Sequence, residues 1–237
     1  MMIFPDDSLQ SLILPSDWWV ENQKKKLCRG ALIYTFVPYV DQIPYSFEPI
    51  GRKHAEQHDK AIVKVAPLLV DQPLKQVELP VAAMPLYNKE VWTAYRAKGR
   101  PCLVLREASQ SVPKELTRGK SNHSVAPTLL LAPYYGADEN SKRAGYSEEF
   151  RTRVRHCEYP QFLWDKLPIN GSDESILRLD HMLSSGAHHQ AYKISEYKLS
   201  EEAMGIVDEQ INWLIYGGLS KDSIILDYRE LIEQSSL

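Results

Sequence analysis

Cysteine is scarce in this chain. Cys28, Cys102 and Cys157 are odd in number, far apart, and form no Cys-x-x-Cys pair. Neither a disulfide framework nor a thiolate zinc site is indicated, and a reducing cytoplasm is the simplest setting. Long apolar runs are also missing, so no segment is predicted to span a membrane. Residues 1–7 carry no basic leader and no long apolar core follows them, which argues against a secretory signal. An excess of one charge is absent too: 28 Lys and Arg stand against 31 Asp and Glu, a net charge of -3. Any nucleic-acid contact must therefore come from a local basic patch. There is no Gly-x-Ser-x-Gly elbow and no phosphate-loop spacing. Cys102 lies inside an apolar run and reads as a core residue, not a nucleophile.

What is present suffices for a substantial core: 237 residues, 43% of them apolar. Residues 1–27 read as an N-terminal extension anchored by Leu12-Ile13-Leu14 and Trp18-Trp19, with Lys24-Lys25-Lys26 as a solvated turn. Gly30 to Val37 predicts a strand rich in aromatic and β-branched residues. Residues 38–97, broken by Pro38, Pro44 and Pro49, read as a long insertion with structure of its own. Within it, residues 61–70 predict a strand interrupted at Pro67, and residues 87–97 have helical composition. Arg100-Pro101 then reads as a turn opening the strand Cys102-Leu103-Val104-Leu105, because proline suits the first residue of a strand. Thr128 to Ala132 predicts a second buried strand ending in Pro133-Tyr134-Tyr135-Gly136. Residues 114–124 form a basic, polar connection between the two. Ser147 caps a helix opened by Glu148-Glu149 that stops before Pro160. Residues 161–167, 174–182 and 190–194 read as strands, with a turn at 169–172. After Ser200, Met204, Val207, Ile211 and Leu214 make one helical face closed by Gly217-Gly218. A last helix over 221–234 carries Ile224, Tyr228, Leu231 and Ile232 on one side. Several short strands followed by helices imply an α+β fold with a small, highly curved sheet or barrel.

The chemistry centres on Arg100. A guanidinium at a sheet rim is a fixed fork of donors suited to phosphate. If the two buried strands lie side by side, Tyr134 or Tyr135 becomes its neighbour. Asp180-His181, at the end of an apolar strand, is a pair that can orient an imidazole for proton transfer, or simply satisfy backbone groups. Arg118, Lys120 and His123, on the basic connection, are candidate substrate contacts. His54 and His58 would share a face on a helix, but they lack a third ligand and read as a polar turn. Arg151, Arg153, Arg155 and His156 form either a basic ridge or, as we favour, a solvated face paired with Glu148 and Glu149.

The segments 30–37, 100–105, 129–136, 174–182 and 192–215 resemble the MazF/PemK family of toxin endoribonucleases, in order and spacing. The resemblance covers about half of the chain. It implies an SH3-like β-barrel, a curved antiparallel sheet with packed C-terminal helices, here carrying the inserted segment at about 38–97. The barrel domain would span 28–217, with a helical tail over 218–237. The resemblance also implies metal-independent, cofactor-free cleavage of single-stranded RNA, a homodimer, an antitoxin protein as partner, no membrane and a cytoplasmic location. The family's catalytic arginine corresponds to Arg100. Its threonine is replaced by Tyr135 or Tyr134, so Tyr135, with Asp180 and His181, takes the remaining catalytic roles, and Tyr134 joins Arg118, Lys120 and His123 in substrate binding. The alternative is a catalytically inactive module of the same kind that binds RNA or a partner protein.

Overall fold

The computed structural model describes residues 3–12, 18–71, 81–86, 89–120, 125–137, 145–169 and 174–235. The chain divides into two compact units: Val37–Lys98, and Met1–Phe36 together with Gly99–Leu237. In chain order the elements are α1 (Leu9–Leu12), β1 (Trp19–Glu21), β2 (Ala31–Pro38), β3 (Tyr45–Gly51), β4 (Ile62–Pro67), β5 (Trp92–Ala94) and β6 (Ala97–Arg106). There follow β7 (Thr128–Gly136), α2 (Glu148–Arg155), β8 (Phe162–Asp165), β9 (Ser175–Arg178), β10 (Leu183–Gly186), β11 (Lys193–Leu199), α3 (Glu201–Tyr216) and α4 (Ile224–Ser235). Among the described residues, no helix is long and apolar enough to cross a membrane.

The fold is α+β, built on a curved, mostly antiparallel sheet with strand order β1-β11-β2-β6-β7-β9-β8, to which β10 adds at β7. The path is open: its end strands β1 and β8 do not pair with each other by backbone hydrogen bonds. Side chains bring these ends together instead. The indole N–H of Trp19 on β1 and that of Trp18 beside it both donate to Oδ1 of Asp165 on β8, at 3.2 and 3.0 Å. Leu32, Leu103, Ala132, Tyr134, Leu177 and Val207 are buried in the same core, with α3 supplying its apolar stripe. Ser200 caps α3 by accepting from Ala203 N, and Gly217 ends it in the left-handed conformation (φ 78°).

The structure moves several boundaries. Pro101 lies inside β6, which begins at Ala97, so the expected turn at Arg100 is replaced by continuous strand. β7 likewise runs through Pro133 to Gly136. Residues 92–94, expected to be helical, form strand β5, paired with β3 through Phe47↔Trp92. β9 stops at Arg178, and a 3-10 turn over Leu179–His181 separates it from β10. The strand expected at 190–194 forms instead over Lys193–Leu199. In α4 the buried residues are Ile225 and Tyr228, while Ile224 and Leu231 are exposed. The turn expected at 169–172 lies largely outside the described residues.

The smaller unit holds an antiparallel sheet ordered β4-β3-β5. His54 and His58 sit in turns and not on a helix, and the Arg52 guanidinium is 2.6 Å from His58 Nδ1. A cation already bonded to that ring nitrogen opposes metal binding there.

Candidate functional site

The site follows from strand register. β6 and β7 pair with Cys102 opposite Pro133. Two residues along each strand, Arg100 and Tyr135 come level, on the same face. The Arg100 guanidinium carbon lies 3.8 Å from the centroid of the Tyr135 ring, a close cation–π stack. On the other side of β7, Tyr135 pairs with Ile176 of β9. Two residues further, Arg178 shares that face and pairs with Phe162 of β8. Its guanidinium is 5.4 Å from the Tyr135 ring and 4.8 Å from the Phe162 ring.

The 3-10 turn then folds the chain back onto this face. Asp180 grips Arg178 through both oxygens, at 2.7 and 2.6 Å. The same guanidinium reaches His181 Nε2 at 2.8 Å, and His181 Nδ1 lies 2.9 Å from the Tyr135 hydroxyl. A guanidinium has donors and no acceptor, so Nε2 must accept. The remaining proton is then on Nδ1, which donates to the Tyr135 oxygen. The phenol proton of Tyr135 is thereby turned away from His181. Its ring meets the imidazole edge-on, at 5.4 Å and 75°.

Electrostatics support a protonated phenol. Burial pushes the Tyr135 pKa above its ordinary value, against the pull of Arg100 and Arg178. Burial opposes the charge on Arg178, and the Asp180 carboxylate outweighs it and raises the pKa. Burial also disfavours the charge on Asp180, but the hydrogen bonds and charge of Arg178 hold its carboxyl below the usual range.

No family model matches the sequence, and neither does any curated protein. The site therefore stands on its own geometry.

The structure brings together Arg100, Tyr135, His181 and Asp180. The last acts differently from expectation: its nearest approach to His181 Nε2 is 3.8 Å, and its hydrogen bonds go to Arg178. Arg178, not Asp180, orients the imidazole. Tyr134 requires a correction as a substrate contact. It is 1% exposed, on the opposite face of β7, and its hydroxyl donates to Asp165 Oδ2 at 3.0 Å. Arg118 and Lys120 are exposed after a 3-10 turn at Lys114–Thr117, and among the described residues no contact joins either side chain to the Tyr135 cluster. His123 lies outside the described residues. On α2 only Arg153 fits the solvated face, exposed and paired with Glu158 at 2.7 Å; Arg151 and Arg155 do not. Arg155 binds Asp7, Arg151 binds Glu174 at 2.6 Å, and all four side chains are at least half-buried. Cys102 is a core residue, its thiol pushed up to about 12 by burial.

Sequence reasoning missed Arg178 as a site residue. The available signal was an arginine at the end of the apolar run Ser175-Ile176-Leu177. A charge there must find a partner or leave the core.

Proposed function

We propose that this protein is a metal-independent endoribonuclease of the MazF/PemK-like toxin type, acting on single-stranded RNA, and that its curled sheet is an SH3-like barrel. The observation that carries the reading is the stack of Arg100 on Tyr135, with the phenol hydrogen-bonded to a neutral His181 and a second guanidinium, Arg178, alongside. Such a group offers cationic forks for phosphate oxygens and a polarised phenol within one small area.

The chemistry runs as an internal transesterification. A ribose 2′-oxygen gives its proton to solvent and attacks the adjacent phosphorus. The bond from phosphorus to the 5′-oxygen breaks, and that oxygen takes the phenol proton of Tyr135. Negative charge on the phosphate oxygens is met by Arg100. The phenolate left behind is stabilised by the Nδ1–H of His181 and by the two guanidiniums, and solvent reprotonates it. The products are a cyclic 2′,3′-phosphate and a 5′-hydroxyl. A homodimer and an antitoxin partner belong to the same proposal.

The test is incubation of the purified protein with mixed-sequence single-stranded RNA, with and without chelator. Cleavage that survives chelator, leaves cyclic phosphate ends and disappears in Arg100→Ala supports the reading. A second reading, an RNA-binding module without turnover, draws on one observation: both ring nitrogens of His181 are already engaged, which suits a fixed platform. RNA bound by the wild type but left intact would select it.

A further inference from the structure

Arg178, Asp180 and His181 hold one another, but all three lie within residues 178–181. Contacts inside so short a run travel with it and do not fix where it sits. A working group needs support from a different element. Tyr146 supplies it. Tyr146 is half-buried, directly before the Ser147 cap of α2, and its side chain hydrogen-bonds Arg178. A guanidinium only donates, so the Tyr146 oxygen accepts. The Tyr146 ring lies 4.8 Å from that of Phe150 in the first turn of α2, tilted by 36°. Phe150 meets Phe162 of β8 edge-on at 5.5 Å, and the Arg178 guanidinium lies 4.8 Å over the Phe162 ring. The contacts thus close a circuit from Arg178 through β8 and α2 back to Arg178. Tyr146 also lies near enough to Tyr135 to act on its phenol electrostatically.

We propose that Tyr146 is a positioning residue: its hydroxyl sets the line of the Arg178 N–H that reaches His181 Nε2, and so keeps the imidazole proton on Nδ1, facing Tyr135. For its effect on turnover the proposal rests on the RNA reading above; its effect on His181 stands apart from that reading. Tyr135 and Phe162 meet Arg178 through their ring faces. A ring face leaves a planar guanidinium free to slide and turn, whereas a hydroxyl acceptor is directional. Without that acceptor, the N–H aimed at Nε2 from 2.8 Å loses its fixed line. The imidazole proton then has no reason to stay on Nδ1. With the proton on Nε2, Nδ1 becomes an acceptor and takes the hydrogen bond of the Tyr135 hydroxyl, now 2.9 Å away. The phenol proton is then turned inward and is lost to the leaving oxygen.

The test is Tyr146→Phe, which removes the hydroxyl and keeps the ring against Phe150. Nitrogen NMR of the histidine rings reads the tautomer, and His181→Gln identifies the His181 signal among the seven histidines. We expect the wild type to be protonated on Nδ1 alone and Tyr146→Phe to be a mixture of the two neutral forms. Cleavage of single-stranded RNA should fall about 10–100-fold in Tyr146→Phe, the scale for losing a group that orients a working side chain. Affinity for a 2′-O-methyl strand, which cannot be cleaved, should hold. A variant with the wild-type tautomer overturns the proposal, whatever happens to cleavage, and so does a wild type that is already mixed. A mixed tautomer with undiminished cleavage overturns it as well, because the proton position then does not govern the reaction. A loss of affinity equal to the loss of cleavage makes Tyr146 a substrate contact and overturns its positioning role. If the wild type cleaves no RNA, the RNA reading falls, and the tautomer alone decides whether Tyr146 positions His181.

Discussion

Tyr135 has one hydroxyl and two roles in the proposed reaction: it accepts from His181, at 2.9 Å, and it gives its own proton to the leaving oxygen. Tyr135→Phe removes both and keeps the ring on which Arg100 stacks. RNA affinity should therefore change little, while cleavage should fall about 10²–10⁴-fold, the usual worth of a positioned proton donor. Rapid-mixing cleavage assays beside equilibrium binding would show the split, and an equal loss in both would remove Tyr135 as the acid. The sign of the pH effect follows from burial. The raised phenol pKa keeps the acid form present through neutral pH, so its contribution is lost only as pH rises past the ordinary phenol range. The sequence pointed to the Arg100–Tyr135 neighbourhood because Arg100-Pro101 opens one apolar run and Tyr134-Tyr135 closes the next. It did not separate Tyr134 from Tyr135, for a physical reason. β7 has core on both of its faces near its end, so the usual alternation of buried and exposed residues is blurred there. Asp180 beside His181 looked like a dyad on adjacency alone. The 3-10 turn between β9 and β10 decides otherwise, and nothing in that short run announces it.

Elements with local signals were legible. α2 and α3 each carry a serine cap, acids in the first turn and, in α3, a 3.6-residue apolar period with a glycine stop. All of these are set by neighbours in sequence. β1, β3 and β10 were not legible. They are short or proline-bearing, and their strand character comes from partners far along the chain. α2 also has a role that its own sequence hides. Arg155 and His156 close on Asp7, at 2.7 and 3.0 Å, and the Tyr228 hydroxyl of α4 donates to the carbonyls of Asp7 and Arg155. The helix thus ties the N-terminal segment to the C-terminal one. Burial raises the Asp7 pKa, but hydrogen bonds from Arg155 and His156 outweigh it and hold the carboxyl below its usual range. Its contribution is therefore present above the unfolded value and lost as pH falls through the folded one. Asp7→Asn should destabilise by about 1 kcal/mol at pH 7, discounted because the pair is partly solvated, and by less at an acid pH below the ordinary carboxylate value. Urea unfolding at the two pH values reads the difference directly. Ser200→Ala, which removes the cap of α3, should lower stability by about 1 kcal/mol at both.

Across the larger unit, one carboxylate holds the two ends of the sheet. Asp165 accepts from Trp18, Trp19, Tyr134 and its neighbour's backbone, Lys166 N at 2.7 Å, and is fully buried. Four donors converge on two oxygens, an arrangement that favours an anion. Burial opposes it and is the larger effect, so the pKa is pushed up to about 7. A carboxyl that holds its proton more tightly folded than unfolded makes the fold less stable as pH rises between the two values. The window runs from about pH 4 to about pH 7, and the full span is on the order of 4 kcal/mol. It lies above the range in which Asp7 acts, with the opposite sign, so the two are separable in one titration. Asp165→Asn keeps an oxygen for the two indoles and an amide that can donate to the Tyr134 oxygen, but it cannot titrate. Its stability should be level across that window where the wild type declines. Asp165→Ala leaves two indole N–H groups and a phenol without a partner in the core, and should lose about 3–5 kcal/mol at every pH. Intrinsic fluorescence during urea unfolding, to which Trp18 and Trp19 contribute among five tryptophans, follows the transition at each pH. A wild-type profile as level as that of Asp165→Asn would mean that the carboxylate is ionised throughout, with its four donors outweighing burial.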